Sequence, residues 1–260
     1  MIVFSIYPKH LLVYKGGGFM ELQNEWIIII AIIQFGMIIS DSFYKLRKCR
    51  KINVVNGELH SQVKMMFSFS MILMAFVFWE CSANEKLKPY LMLLFIGMTF
   101  STIGDIIMAR IVKVKDRLSY AIIFFILAHV SYMGSYILAT SKLEGNFIYL
   151  IFIIPIGYIF TTIIWSKFVK NKMKSKKINY LSLVYSLVIV TMMMISLNLT
   201  ITTTTKFFLT TVGAIVFILS DLIIGVSEIK EKGPKNQSIW VWITYVIGQM
   251  CIIYNYLLFI

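Results

Sequence analysis

Residues 89–109 read PYLMLLFIGMTFSTIGDIIMA, with Lys88 before them and Arg110 after. At about 1.5 Å per residue, a helix of this length covers roughly 30 Å, the thickness of a bilayer's hydrocarbon core. Only one side chain in the stretch, Asp105, carries charge. Pro89 stands at a first-turn position, where its missing N–H costs no helical hydrogen bond. The stretch therefore reads as a transmembrane helix that carries one acid.

Seven further apolar runs bounded by charge flank it, at about 26–44, 62–79, 118–140, 147–166, 178–198, 207–228 and 238–260. The fold class expected is all-α: a polytopic eight-helix transmembrane bundle over residues 25–260, preceded by a tail over 1–24. Composition agrees, with 59% apolar and 14% charged residues against about 45–50% and 25% in soluble domains. Short connections leave no room for a separate soluble catalytic domain, so any chemistry sits among the helices. Two readings of the tail stay open. YKGGGFM (Tyr14 to Met20) spells what a purine-rich ribosome-binding sequence encodes in frame, with the natural start then at Met20; alternatively the tail is an exterior extension. It is too polar and interrupted for a cleaved signal peptide.

The net charge of +13 does not point to nucleic acid, because the basic residues fall between apolar runs rather than on one face of a soluble fold. The connections after spans one, three, five and seven hold six, four, six and three Lys or Arg, 19 of the 25 in the chain. By the positive-inside rule these loops are cytoplasmic and both termini lie outside. The expected location is a bacterial cytoplasmic membrane. All five tryptophans, Trp26, Trp79, Trp165, Trp240 and Trp242, fall at or near span ends, where an indole prefers the headgroup level. Cys49, Cys81 and Cys251 are far apart and have neither disulfide nor zinc spacing.

A mid-membrane carboxylate costs about 2.5–3.5 kcal/mol on the insertion scale, so intramembrane acids are functional candidates by default. Asp105 and Asp221 lie one to two turns from the cytoplasmic ends of spans three and seven; Asp41 lies three residues from the end of span one. Gly97 precedes Asp105 by eight residues, as Gly213 precedes Asp221, and a small residue, Gly104 or Ser220, stands directly before each acid. Four spans separate the copies, which suggests a parallel four-plus-four repeat. His129, Tyr132 and Tyr136 make one helical stripe on span four, and Tyr245, Gln249 and Tyr256 another on span eight. Asp105, Asp221, His129, Tyr132, Tyr185, Gln249 and Lys64 are expected to line one cavity open to the inner leaflet. The bland reading of the same groups is a network that glues helices together.

Lys64 before span two, FSTIGDIIMA and AHVSY on spans three and four, a tyrosine on span six and GAIVFILSDLIIG on span seven resemble the YhhN/TMEM86 family of lysoplasmalogenases over residues 25–260. The chain departs from the family in two places. Lys64-Met65 stands where a Lys-Pro is common, and the loop KLRKCRKINVVNGELH is long and basic. The resemblance implies hydrolysis of the vinyl ether of a lysoplasmalogen to a fatty aldehyde and a glycerophosphoethanolamine or glycerophosphocholine. The residues suit that chemistry. Protonating the β-carbon needs a carboxylic acid, and the resulting oxocarbenium ion needs a negative neighbour and a water, as in paired-carboxylate glycosidases. Asp105 and Asp221 are then the catalytic pair. Lys64, His129, Tyr132, Tyr185, Gln249, Ser220 and Arg110 bind or orient, with Lys64 and Arg110 gripping the lipid phosphate. Neither a metal nor a cofactor is expected. The partners are a lysophospholipid substrate and the bilayer, and the oligomeric state is open.

A zinc-dependent lipid hydrolase needs several intramembrane histidines, whereas only His129 lies inside a span. An intramembrane aspartyl protease needs Gly-x-Gly-Asp, but Thr102-Ile103-Gly104-Asp105 breaks that pattern. The serious alternative from another class is a proton-coupled transporter or lipid carrier that uses the same acids.

Overall fold

The computed structural model of the protein describes residues 26–36, 39, 40, 44, 47 and 61–259. The tail over 1–24, Asp41 and Cys49 lie outside the described residues. The helices are α1 (Trp26–Gly36), α2 (Ser61–Cys81), α3 (Lys88–Met108), α4 (Arg117–Lys142), α5 (Ile148–Ile164), α6 (Lys176–Thr202), α7 (Phe208–Ile224) and α8 (Gln237–Tyr254). Among the described residues, α2 to α8 with their flanking turns give seven helices long and apolar enough to cross a membrane. Helix α1 is the described part of the first span and is anchored by a polar side chain. Buried Gln34 donates to Ser70 Oγ at 2.7 Å and accepts from Tyr254 at 2.7 Å, which ties α1 to α2 and α8.

The helix starts follow local chemistry. Asp116 caps α4 by accepting from the Ser119 backbone N–H at 3.3 Å, and Ser175 caps α6 by accepting from that of Ile178 at 3.3 Å. Pro89 occupies the first turn of α3. The connections after α3, α5 and α7 are tied to one another and so lie at one end of the bundle, the basic end. Lys177 reaches Asp116 at 2.9 Å, Lys174 pairs with Glu231, and Asn171 donates to the Ile229 carbonyl at 2.8 Å.

Within the bundle α3 packs along α4 and α7 along α8, while α5 stands at the periphery with its main contacts on α6. The two close pairs use the same contacts at a constant offset of 116 residues (213 less 97, 221 less 105). A Cβ on Gly97 would meet the Tyr132 ring at 2.4 Å, and one on Gly213 would meet the carbonyl of Gly248, the counterpart of Tyr132, at 2.8 Å. One turn before each pair ends, Gly104 lies under the Phe125 ring, and Ser220 donates to the carbonyl of its counterpart Val241 at 3.1 Å. Small residues let membrane helices approach closely, where packing and hydrogen bonds replace the hydrophobic drive available in water. Eight-residue spacing from glycine to acid thus fixes how far each carboxylate lies from the helix crossing.

Two of the tryptophans expected at the headgroup level face inward. Trp165 and Trp242 are 8% and 4% exposed, and Trp165 Nε1 donates to Ser182 at 2.9 Å. Position along a span sets the depth of a side chain, but the helix face sets its neighbour, and both indoles fall on inward faces. Trp26 and Trp240 do point outward, at 63% and 53% exposed.

Candidate functional site

Helices α3 and α7 bring Asp105 and Asp221, both half-buried, to the wall of one cavity of about 200 Å³ at the basic end. Lys64 of α2, Arg110 after α3 and Arg117 at the start of α4 put three cations on the same wall. Arg117 is held at 2.9 Å by Glu228 and donates to the Met108 carbonyl at 3.1 Å, so it closes the end of α3 against the turn after α7. Lys64 places its ammonium 5.5 Å from the centre of the Trp242 ring, a cation–π distance.

Each acid is held by a tyrosine from another helix. Tyr245 of α8 donates to Asp105 Oδ2 at 2.6 Å and Ser68 of α2 donates to the same oxygen at 2.7 Å. Behind Tyr245 the network continues inward. Gln249 donates to Ser101 Oγ at 2.8 Å and to the Tyr245 hydroxyl at 3.3 Å, and its carbonyl accepts from Tyr132 at 3.0 Å. Tyr185 of α6 donates to Asp221 Oδ2 at 2.7 Å. Its oxygen also lies 3.2 Å from His129 Nε2, within hydrogen-bond distance. The Phe217 ring separates the two networks, edge-on to His129 at 5.1 Å and to Tyr245 at 5.2 Å.

These positions correct the expected single cavity. Lys64, Asp105, Asp221 and Arg110 line it, whereas His129, Tyr132 and Gln249 lie behind it, fully buried, and reach the acids only through other side chains. Ser220 turns away to α8. Tyr185 lines a second cavity, which also includes Asp221. The reason is depth: one or two turns farther in, the helices have closed on one another, and a polar side chain there finds a neighbour instead of open space.

Tyr245, Ser68, Arg117 and Trp242 join the site without having been singled out for it from sequence. A signal for Tyr245 existed. It follows Asp221 by 24 residues, as His129 follows Asp105, and the two equivalent positions serve the opposite acids, Tyr245 directly and His129 through Tyr185. Serine at position 68 of an apolar helix gives no such signal.

A family model described as the YhhN family matches residues 59–255. No curated protein and no solved structure matches the chain.

Proposed function

The chain belongs to the YhhN family, and from that membership and the geometry of the site we propose that it is a membrane-embedded hydrolase that cleaves the vinyl ether of a lysoplasmalogen. Two aspartates on one cavity beside three cations carry this reading. One aspartic acid protonates the β-carbon of the vinyl ether. The second carboxylate faces the resulting oxocarbenium ion and takes a proton from the water that adds to the α-carbon. The hemiacetal then collapses, with a proton passing to the glycerol oxygen, to a fatty aldehyde and a glycerophospho-alcohol. Lys64 and Arg110 hold the phosphate. Tyr245 and Tyr185 fix the orientation of the carboxyl groups, so the reacting oxygens are placed before substrate arrives.

The test is incubation of purified protein with a 1-alkenyl lysolipid and with its 1-acyl match. Aldehyde from the first and no fatty acid from the second is the expected result; fatty acid from the acyl lipid, or no product from either, overturns the reading. A second reading, a proton-coupled carrier, has one observation in its favour. Tyr136 and Tyr90 continue the polar stripe beyond Tyr132, with their rings 6.3 Å apart and both hydroxyls buried. Proton uptake into proteoliposomes driven by a lipid gradient, without aldehyde, would decide for it.

A further inference from the structure

A second cavity, of about 530 Å³, lies between α5, α6 and α7 and shares Asp221 and Ile224 with the first. Its lining is almost wholly apolar, and its outer wall includes Ile156 and Phe160 of α5, which are 54% and 62% exposed, so the groove opens sideways from the bundle. Near Asp221 it is bounded by two π-helical turns, Trp165–Val169 after α5 and Gly225–Ile229 after α7. The turns pack on each other through Val169, Trp165 and Ile229, and a Cβ on Gly225 would come within 3.1 Å of Val169. Single π turns recur at functional sites, because the wider turn re-aims a helix end. Here the widened ends of α5 and α7 meet below the groove.

We propose that this groove holds the hydrocarbon chain of a one-chain phospholipid whose headgroup occupies the cation-lined cavity, so that the lipid bends over Asp221. The proposal rests on the hydrolase reading for its chemistry but on the two adjoining cavities for its geometry. The volume suits a single small-molecule ligand, and the groove and the first cavity have Asp221 and Ile224 as common lining residues, so the two adjoin there. That order of headgroup, junction and chain places the chain-side β-carbon of a vinyl ether next to Asp221 and the ether oxygen toward Asp105. Asp221 then gives its proton to the β-carbon, and Asp105 receives the proton of the attacking water. Groove length, set along α5 and α6 by Gly157, Met194 and Leu197, selects for chain length.

Trp165 provides a reporter that does not depend on turnover. Protein in nanodiscs of ordinary phospholipid is titrated with a non-cleavable 1-alkyl lysophosphocholine brominated along its chain, and tryptophan fluorescence is followed in wild type and Trp165→Phe. Saturable quenching in wild type that Trp165→Phe loses is the expected result. Equal quenching by a brominated two-chain phospholipid at the same bromine content overturns the proposal, since the groove then holds bulk lipid, and so does quenching that Trp165→Phe retains. Gly157→Leu, whose side chain displaces the tip of Met194 into the groove, and Leu197→Phe, which fills groove space directly, are expected to lower the preference for an 18-carbon over a 10-carbon chain about tenfold. An unchanged preference in both overturns it, even if Trp165→Phe fails to fold. Aldehyde release without saturable quenching rejects the groove and keeps the hydrolase; quenching without aldehyde release keeps the groove and rejects the hydrolase.

Discussion

Asp105 accepts hydrogen bonds from Tyr245 and Ser68, while Asp221 accepts one from Tyr185, and this difference sets what each substitution does. Asn is nearly isosteric with Asp and can still accept from a phenol, so Asp105→Asn and Asp221→Asn are expected to keep the fold while lowering aldehyde release about 10²–10⁴-fold, the usual contribution of a general acid or base. Near-wild-type turnover of either variant at equal monodispersity would remove that residue from the catalytic pair. Tyr245→Phe leaves Asp105 with Ser68 alone and is expected to lower turnover less than Asp105→Asn does. His129→Gln is one side chain further removed from its acid and is expected to have a smaller effect still. Lys64→Met is expected to raise KM more than it lowers kcat, because a phosphate grip acts on ground and transition states alike; steady-state kinetics on a vinyl-ether lysolipid separates the two. Both acids were legible in the chain because charge inside an apolar run is costly and stands out. Ser68 was not, since a serine mid-helix costs little and bonds its own backbone as readily as a neighbour.

At the scale of the element, the crossing of α3 and α4 depends on Gly97, where even a Cβ would stand 2.4 Å from the Tyr132 ring. Gly97→Leu is expected to push the helices apart at a cost of about 1–3 kcal/mol, the range for overpacked cores, read as a lower melting temperature in detergent and as loss of the Tyr132–Gln249 contact that supports Asp105. The start of α4 gives a pH-dependent test. Asp116 lies outside the membrane, and its carboxyl is held below the ordinary carboxylate value by Ser119 and then by Lys177. A depressed folded value means that its charge stabilises above the ordinary value and that this contribution is lost as pH falls through the folded one. Asp116→Asn keeps a capping side chain and removes the charge. Its melting temperature is therefore expected to fall below that of wild type at pH 7 and to converge with it in acid, whereas Asp116→Ala loses the cap as well, about 1 kcal/mol, at every pH. The limits of spans two to eight read from hydropathy lie within a few residues of the helix ends because charged and capping residues mark both. The π turns at 165–169 and 225–229 carry no such mark, since WSKFV and GVSEI fit an α-helix equally well.

For the whole molecule, the connections after α3, α5 and α7 meet at one end and carry most of the basic residues, so the positive-inside rule predicts that this end faces the cytoplasm. In intact cells an impermeant thiol reagent is expected to label a Glu85→Cys variant and to spare Cys49 of the first basic loop; the opposite pattern reverses the orientation. Sequence by itself determined the class of this protein, the limits of spans two to eight, the two acids, and the glycine-to-acid spacing that repeats between α3 and α7. Those properties are one-dimensional: they depend on how long an apolar run is, what interrupts it and at what interval. Tertiary structure alone decided that Tyr245 rather than His129 touches an acid, that Trp165 and Trp242 turn inward, and that a lateral groove and the cavity at the basic end share Asp221 in their walls. In lipid every face of an apolar helix has nearly the same affinity for its surroundings, so hydropathy cannot say which face is buried. Close packing at Gly97 and Gly213, and the need of each buried polar group for a partner, choose the face only once the helices are in contact.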